Sequence, residues 1–498
     1  MLNYLILFPL AAGLITLILN RGGVKIFSVL ASLIILALNA KFFFDGINGV
    51  DFEYKLPFKI ANLFEYHVGV DSISLVLMLL SSLMIFLSFL FLKIEKKAIV
   101  SCIFFLEFAI MGLFSSLDGL LFYVFWEFSL LPLLYIMGVY GKDYRPGIKF
   151  FIYAFAGSIL MLLALIYQAY ATYKLLNVFT FDLEIWKNNA SAFSFNEQLL
   201  LFGAFFIAFA IKAPLFPLHT WAPKVYANSP ILVSMMLVAF KMAPFGFLHF
   251  CLPLFPDASV YFIPLIAALC IVSIIYNALI AYRASNLKEL IAYSSISHIG
   301  VMVLGIFSLN ILGITGAIFY MFAHGLVTGS LFLMAELLYK KYGTLEISHY
   351  HSLARKAPLF TIFFALILLA SISLPLTISF VGEFLALLGI AKVSLLYAFL
   401  AGFVIILGAI YMLAVFRKMF FMQQDTNLES FSLHTREIIT LVMVAFLIFS
   451  LGLAPKIFLN PLEKNVNSLV ELMKTRAINQ ENINFLNHIK GENNVRFR

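Results

Sequence analysis

Fourteen runs of apolar residues decide what this chain can fold into. They occupy residues 2–19, 26–44, 70–92, 98–114, 119–140, 147–173 and 199–218, then 232–250, 260–282, 290–308, 313–338, 359–388, 395–416 and 438–453. A helix needs about 20 apolar residues to cross the hydrocarbon core, so almost the whole chain is spoken for. The predicted fold is all-α: a polytopic membrane protein of about 14 transmembrane helices. Of 498 residues, 63% are hydrophobic and 12% charged, against about 25% charged in soluble domains, which excludes a water-soluble enzyme. No basic segment and no small-residue cleavage site precede Asn20, so the first run is expected to stay as a helix.

The three cysteines, Cys102, Cys251 and Cys270, fall in apolar runs without a C-x-x-C pair. Neither a disulfide framework nor an iron–sulfur or zinc site is readable from them. The net charge of +8 does not point to nucleic acid, because the Lys and Arg lie in short loops where membrane topology explains them. Loops after odd-numbered helices carry roughly three times as many Lys and Arg as those after even-numbered helices. That bias predicts odd loops in the cytoplasm, with both termini on the periplasmic, outer side. The polar end after Pro461 is expected to fray or to lie on the surface.

Two runs carry proline near their centres, in Lys212-Ala213-Pro214-Leu215-Phe216-Pro217 and in Ser373-Leu374-Pro375. Proline removes a backbone donor and clashes with the preceding turn, so both helices must break where protein or water can satisfy the freed carbonyls. The two breaks hold the fourth place in successive sets of five helices, the pattern of two inverted repeats in transporters. The chain then divides into helices 1–3 (1–97), a first five-helix unit (98–250), a second (260–416), and a last helix with its polar tail (438–498). Incidental kinking is the alternative.

Glu107, Glu127, Lys212, Lys241 and Glu383 fall inside apolar runs, as do His298 and His324. Five central charges left ionised and unpaired cost roughly 12–17 kcal/mol on insertion scales, which demands pairing, neutralisation or water. A buried Glu–Lys pair is bistable towards protons, because burial disfavours either charge and the partner restores it. Glu127 beside Lys212 would form such a pair, and a static ion pair fixing helix packing is the alternative. Lys241 has no acidic residue in its own run. Ser294 lies one turn before His298, and Tyr320 and Thr328 flank His324 by one turn, so each histidine sits in a cluster able to hold water and pass protons. Hydroxyl-mediated helix packing competes with that reading. The chain lacks a G-x-G-x-x-G, a P-loop, a cysteine array and a haem motif, so any power source lies outside it.

The segments Phe125-Trp126-Glu127-Phe128, Lys212-Ala213-Pro214-Leu215-Phe216-Pro217-Leu218-His219-Thr220-Trp221, Tyr293-Ser294-Ser295-Ile296-Ser297-His298, Phe322-Ala323-His324-Gly325 and Gly382-Glu383-Phe384 resemble the antiporter-like membrane subunits of respiratory complex I and of multisubunit cation/proton antiporters. The resemblance covers nearly the whole chain. Glu383 on helix twelve is an acid where the L and N types usually have Lys, and the chain ends soon after helix fourteen; both features favour the M type. The stretch Ser229–Lys241 is shorter than the family's usual segment.

The resemblance implies a proton-translocating subunit of an NADH–quinone oxidoreductase. Glu127 would be the helix-five partner, Lys212 the broken-helix lysine, Lys241 the central lysine, His298 and His324 relays, Glu383 the exit-side residue and Glu107 a secondary acid. It implies no cofactor and no metal in this chain, with the electron donor, flavin, iron–sulfur clusters and quinone in partner subunits. The L and N antiporter-like subunits and membrane lipid would be its partners, and the bacterial inner membrane its place. A Na⁺/H⁺ antiporter subunit is the alternative function, and a purely structural bundle is disfavoured by the cost of the central charges.

Overall fold

The computed structural model describes residues 2–47, 52–60, 64–92, 94, 96–422 and 428–491. Lys93, one of the odd-loop cations, and the last basic residues of the tail lie outside these. Among the described residues twelve helices are long and apolar enough to span a membrane: α2 (Arg21–Ile47), α3 (Ser72–Phe91), α4 (Lys97–Ser115), α5 (Gly119–Tyr140), α6 (Arg145–Leu176), α7 (Phe195–Lys212), α8 (Ile231–Leu254), α9 (Ile263–Arg283), α10 (Leu287–Ile306), α11 (Ile311–Tyr342), α13 (Leu395–Phe420) and α14 (Thr435–Leu453). The shorter apolar helix α1 (Leu2–Ile18) and the two-part α12 (Pro358–Ser371 and Ile378–Val393) complete the fourteen expected.

Apolar side chains surround α3, α8, α10 and α11 on nearly every side, whereas α2, α6, α13 and α14 bury only a third or so of theirs. A helix apolar all round and buried all round belongs to the core of the bundle, and a helix apolar but exposed faces lipid. Close packing sets α1 against α4: Ser101 Oγ donates to the Gly13 carbonyl at 2.7 Å. A Cβ at Gly13 would meet the Phe105 ring at 2.6 Å, so only glycine lets the two backbones approach.

Both proline-bearing helices break as the sequence requires. The first half of α7 stops at Lys212 and resumes as Ala222–Asn228, and Trp221 Nε1 donates at 2.8 Å to the Ile211 carbonyl that the break leaves free. In α12 the break spans residues 372–377, with Ser373 and Leu376 in the left-handed region at φ 56° and 76°. A third interruption lies in α8, which the sequence reading took as continuous. Its helix stops at Ala239, restarts at Met242 and passes into a π turn at Phe247–Cys251. The cause is Pro244, which cannot donate to the carbonyl four residues back, at Phe240, and crowds it.

Two elements depart from a plain helical bundle. Strands β1 (Phe52–Ile60) and β2 (Phe64–Val70) pair antiparallel, Phe52 opposite Val70 and Tyr54 opposite Val68. Beyond α14, the surface-lying segment is a 21-residue amphipathic helix, α15 (Lys456–Arg476), whose Phe458, Leu462, Val466 and Val470 are buried. Phe458 meets the rings of Phe43 and Phe322 at 4.8 and 4.9 Å, and Ser72 Oγ donates to the Pro461 carbonyl at 3.0 Å. The helix therefore straps one end of the bundle.

Candidate functional site

Three helix interruptions bring the interior polar groups together. At the first, Lys212 is the last residue of the first half of α7, where unpaired carbonyls give the helix end a partial negative charge that favours a cation. Its Nζ donates to Ser129 Oγ at 2.9 Å and stands 4.4 Å above the Trp126 ring. Ser129 divides α5 into Gly119–Phe128 and Leu130–Tyr140 and spends its own proton on the Trp126 carbonyl at 2.7 Å. Glu127 lies next to Ser158 of α6 and feels the charge of Lys212, yet the two do not form a direct ion pair.

At the second interruption, Lys241 follows the C-terminal end of the first piece of α8, with 3% of its surface exposed. Its Nζ donates to the Val238 carbonyl of that end and reaches His324 Nδ1 of α11 at 3.0 Å. An ammonium has no acceptor, so Nδ1 is the acceptor there and the proton of a neutral His324 sits on Nε2. Lys241 and His324 are thus an acid and a base in direct contact.

The row continues through α10 and α11 into the third interruption. The rings of His324 and His298 lie 5.9 Å apart. His298 Nδ1 is 2.6 Å from the Tyr320 hydroxyl and 3.3 Å from Glu383 Oε1, and the same hydroxyl donates to Glu383 Oε1 at 2.9 Å. Ser373, in the break of α12, donates to Glu383 Oε2. The hydroxyl, the phenol and the imidazole thus satisfy the hydrogen-bonding capacity of this buried carboxyl group.

Two small cavities punctuate this row. One of about 30 Å³ is lined by Lys212, Trp221, Tyr226, Phe240 and Lys241 and joins the first interruption to the second. The other, of about 10 Å³, is lined by Ser294, His298, Tyr320, His324 and Thr328 and lies where the two rings face each other. Holding a water takes roughly 10–15 Å³ and two or more polar partners, so the first has room for water and the second is at the threshold for one molecule. Proton transfer along such a row needs only short hops between groups already within hydrogen-bond distance or one water apart.

Against this geometry, comparison with known proteins is decisive. The family described as NADH:quinone oxidoreductase/Mrp antiporter, TM matches residues 116–409. NADH-quinone oxidoreductase subunit M of Rickettsia prowazekii is 40% identical over 416 residues, covering 82% of this chain and 84% of that one. The chain belongs to this family. Within it, the structure resembles a chain of respiratory complex I from Thermus thermophilus with bound NADH, at TM-score 0.88 and 30% identity over 95% of this chain and all of that one. A chain of the Mrp complex from Dietzia sp. shares the fold at TM-score 0.82 and 18% identity, over 94% of this chain and 97% of that one.

In this antiporter-like subunit the structure gathers Lys241, His298, His324 and Glu383 into one chain of contacts, with Lys212 across a cavity from Lys241. Glu127 flanks Lys212 at one remove. Glu107 is fully buried in α4, and among the described residues neither of its carboxylate oxygens has a hydrogen-bond partner, so it stands apart from the row. Sequence reasoning missed Ser129 and Ser373, and it treated Tyr320 as a neighbour of His324 when its hydroxyl joins His298 to Glu383. The signal for Ser373 was present, since a serine two residues before the proline of a broken helix lies in the break itself. Among the described residues no group of His, Cys, Asp and Glu is arranged to hold a metal.

Proposed function

We propose that this chain is the M-type proton-translocating subunit of an NADH–quinone oxidoreductase. In this reading protons move along a lateral row through Glu127, Lys212, Lys241, His324, His298 and Glu383, while electron transfer, with its flavin, iron–sulfur clusters and quinone, takes place in partner subunits. The observation that carries the reading is the buried run of contacts from Lys241 to Glu383, which crosses α8, α11, α10 and α12 and contains an acid, bases and a bridging phenol in transfer order. The 40% identity to a subunit M favours quinone reduction over Na⁺/H⁺ antiport as the partner chemistry, whereas the Mrp likeness is one of fold.

In the proposed cycle each interruption is a switch. Proton loss from Lys241 to His324 leaves a neutral amine and an imidazolium, and the imidazolium passes its proton through His298 and Tyr320 to Glu383. Moving a proton against 100 mV costs about 2.3 kcal/mol, within reach of the change in charge partners that opening or closing a buried pair brings. The five-helix units 98–250 and 260–416 would be two half-channels meeting at Lys241. The L and N subunits would flank the chain in a bacterial inner membrane, with odd loops in the cytoplasm and both termini in the periplasm. The test is Lys212→Ala in the assembled complex: redox-driven pumping should be lost while assembly is kept. A normal proton-to-electron ratio in that variant overturns the role of Lys212.

A further inference from the structure

A cavity of about 590 Å³ lies away from the proton row. It opens where α4, α5, α8, α10 and α11 end, on the face that carries the Lys- and Arg-rich loops. Lys96, Lys142, Lys288 and Lys340 line it, with Glu336 as the carboxylate among them. Glu336 pairs with Lys340 at 3.7 Å. Among the described residues the other three cations form no salt bridge: Lys96 and Lys142 lie 4.5 and 4.9 Å over the rings of Tyr140 and Tyr339, and Lys288 donates to the Ser229 carbonyl.

Lys288 is the decisive residue. It is 5% exposed, and an ammonium has three protons to donate while its observed partner takes one. A buried cation keeps its charge only when an anion or several acceptors compensate it. The nearby carboxylate, Glu336, is shared with Lys340, so a single carboxylate faces four lysines in the lining and positive charge is left in excess around Lys288. The lining also includes the apolar side chains of Leu92, Ile94 and Leu232. A lining that mixes cations with apolar side chains, at the level where spanning helices end, fits an amphiphilic anion better than a fully hydrated one.

From this we infer that the cavity binds the phosphate headgroup of an anionic phospholipid, with Lys288 as the buried phosphate ligand and Lys96 and Lys142 closing over it from the rim. Lys288 opens α10, which carries His298, and Ile231 opens α8, which carries Lys241. A bound headgroup would tie these helix ends together. The inference does not depend on the proton row.

The test uses the purified full complex, stripped of lipid, with Asn228→Cys as a reporter in the cavity lining. The rate of maleimide modification is measured with phosphatidylglycerol, phosphatidylcholine or inorganic phosphate present. Phosphatidylglycerol should slow modification strongly, and the other two should not. Lys96→Gln with Lys142→Gln changes only rim side chains and should weaken the protection about thirtyfold in lipid concentration, at about 1 kcal/mol for each surface lysine. Lys288→Gln should abolish it. Equal protection by inorganic phosphate would overturn the lipid assignment in favour of a free-anion site. Absence of protection by phosphatidylglycerol, or full protection in the rim double variant, would overturn the site.

Discussion

Tyr320→Phe isolates one link of the proton row. The phenol is 1% exposed, and its ring packs within α11 beside His298 and His324. Removing only the oxygen leaves that packing in place. What is lost is the 2.9 Å donation to Glu383 and the 2.6 Å contact with His298, leaving the 3.3 Å approach of His298 to Glu383 as the direct connection between them. A hydrogen bond to a charged group contributes about 1.5–3 kcal/mol. Converted at 1.36 kcal/mol for each factor of ten, the step between His298 and Glu383 should slow about tenfold to a hundredfold. Because transport is coupled to electron flow in the proposed cycle, NADH oxidation in sealed vesicles should fall along with proton release, and the assembled complex should remain. Wild-type turnover together with an unaltered proton-to-electron ratio would refute the idea that the phenol carries the connection.

Ser129→Ala removes the hydrogen-bond partner of Lys212 and leaves the ring of Trp126, whose attraction for a cation is about 0.5–2 kcal/mol; pumping should drop several-fold, and Ser129→Thr should restore it, as read from proton stoichiometry. Glu383→Gln keeps the shape but cannot hold a proton, so pumping should cease; Glu383→Asp withdraws the carboxylate by about 1.5 Å and should retain part of it. Outside the membrane, burial draws the His67 imidazole down, but hydrogen bonds to Asp182 and Glu53 outweigh that and raise it above its ordinary value. Asp182 is held below the usual carboxylate range by His67 and Lys55 despite its own burial. The stabilisation from His67 is complete below its unfolded value, about 6.5, and is lost as pH rises through the raised folded value; that from Asp182 is lost only in strong acid. Amide exchange in the strands Phe52–Ile60 and Phe64–Val70 should therefore quicken on the alkaline side of neutrality beyond its intrinsic base catalysis, and His67→Gln should remove that pH dependence.

The architecture was legible because its cause is written locally. Apolar length dictates spans, and proline at the centre of a span dictates a break, so α7 and α12 were readable before any coordinates. The same rule applied to Pro244, but Met242, Ala243, Phe245 and Leu248 kept the run apolar and hid the interruption beside Lys241. The hairpin also left a trace: Phe52-Glu53-Tyr54-Lys55 alternates with period two, a pattern masked by the overwhelming helical signal on either side. What a sequence of spans does not contain is which face meets which. Glu127 and Lys212 were expected to pair directly, and instead Ser129 and Trp126 stand at the ammonium. Tyr320 was placed on the correct face of α11, yet only the packing of α12 against α11 turns it into a bridge to Glu383.

Lys212 and Lys241 each sit at the very tip of a severed helical segment, and that placement has a mechanical corollary. The electrostatic field at the amine belongs to the rod beneath it, so tilting either stub by a few degrees alters how firmly the cation is held without any carboxylate having to travel. In the proposed cycle, a small strain delivered through neighbouring helices would act on proton occupancy at both tips. The rest of the scaffold, strapped at one end by α15, stays still.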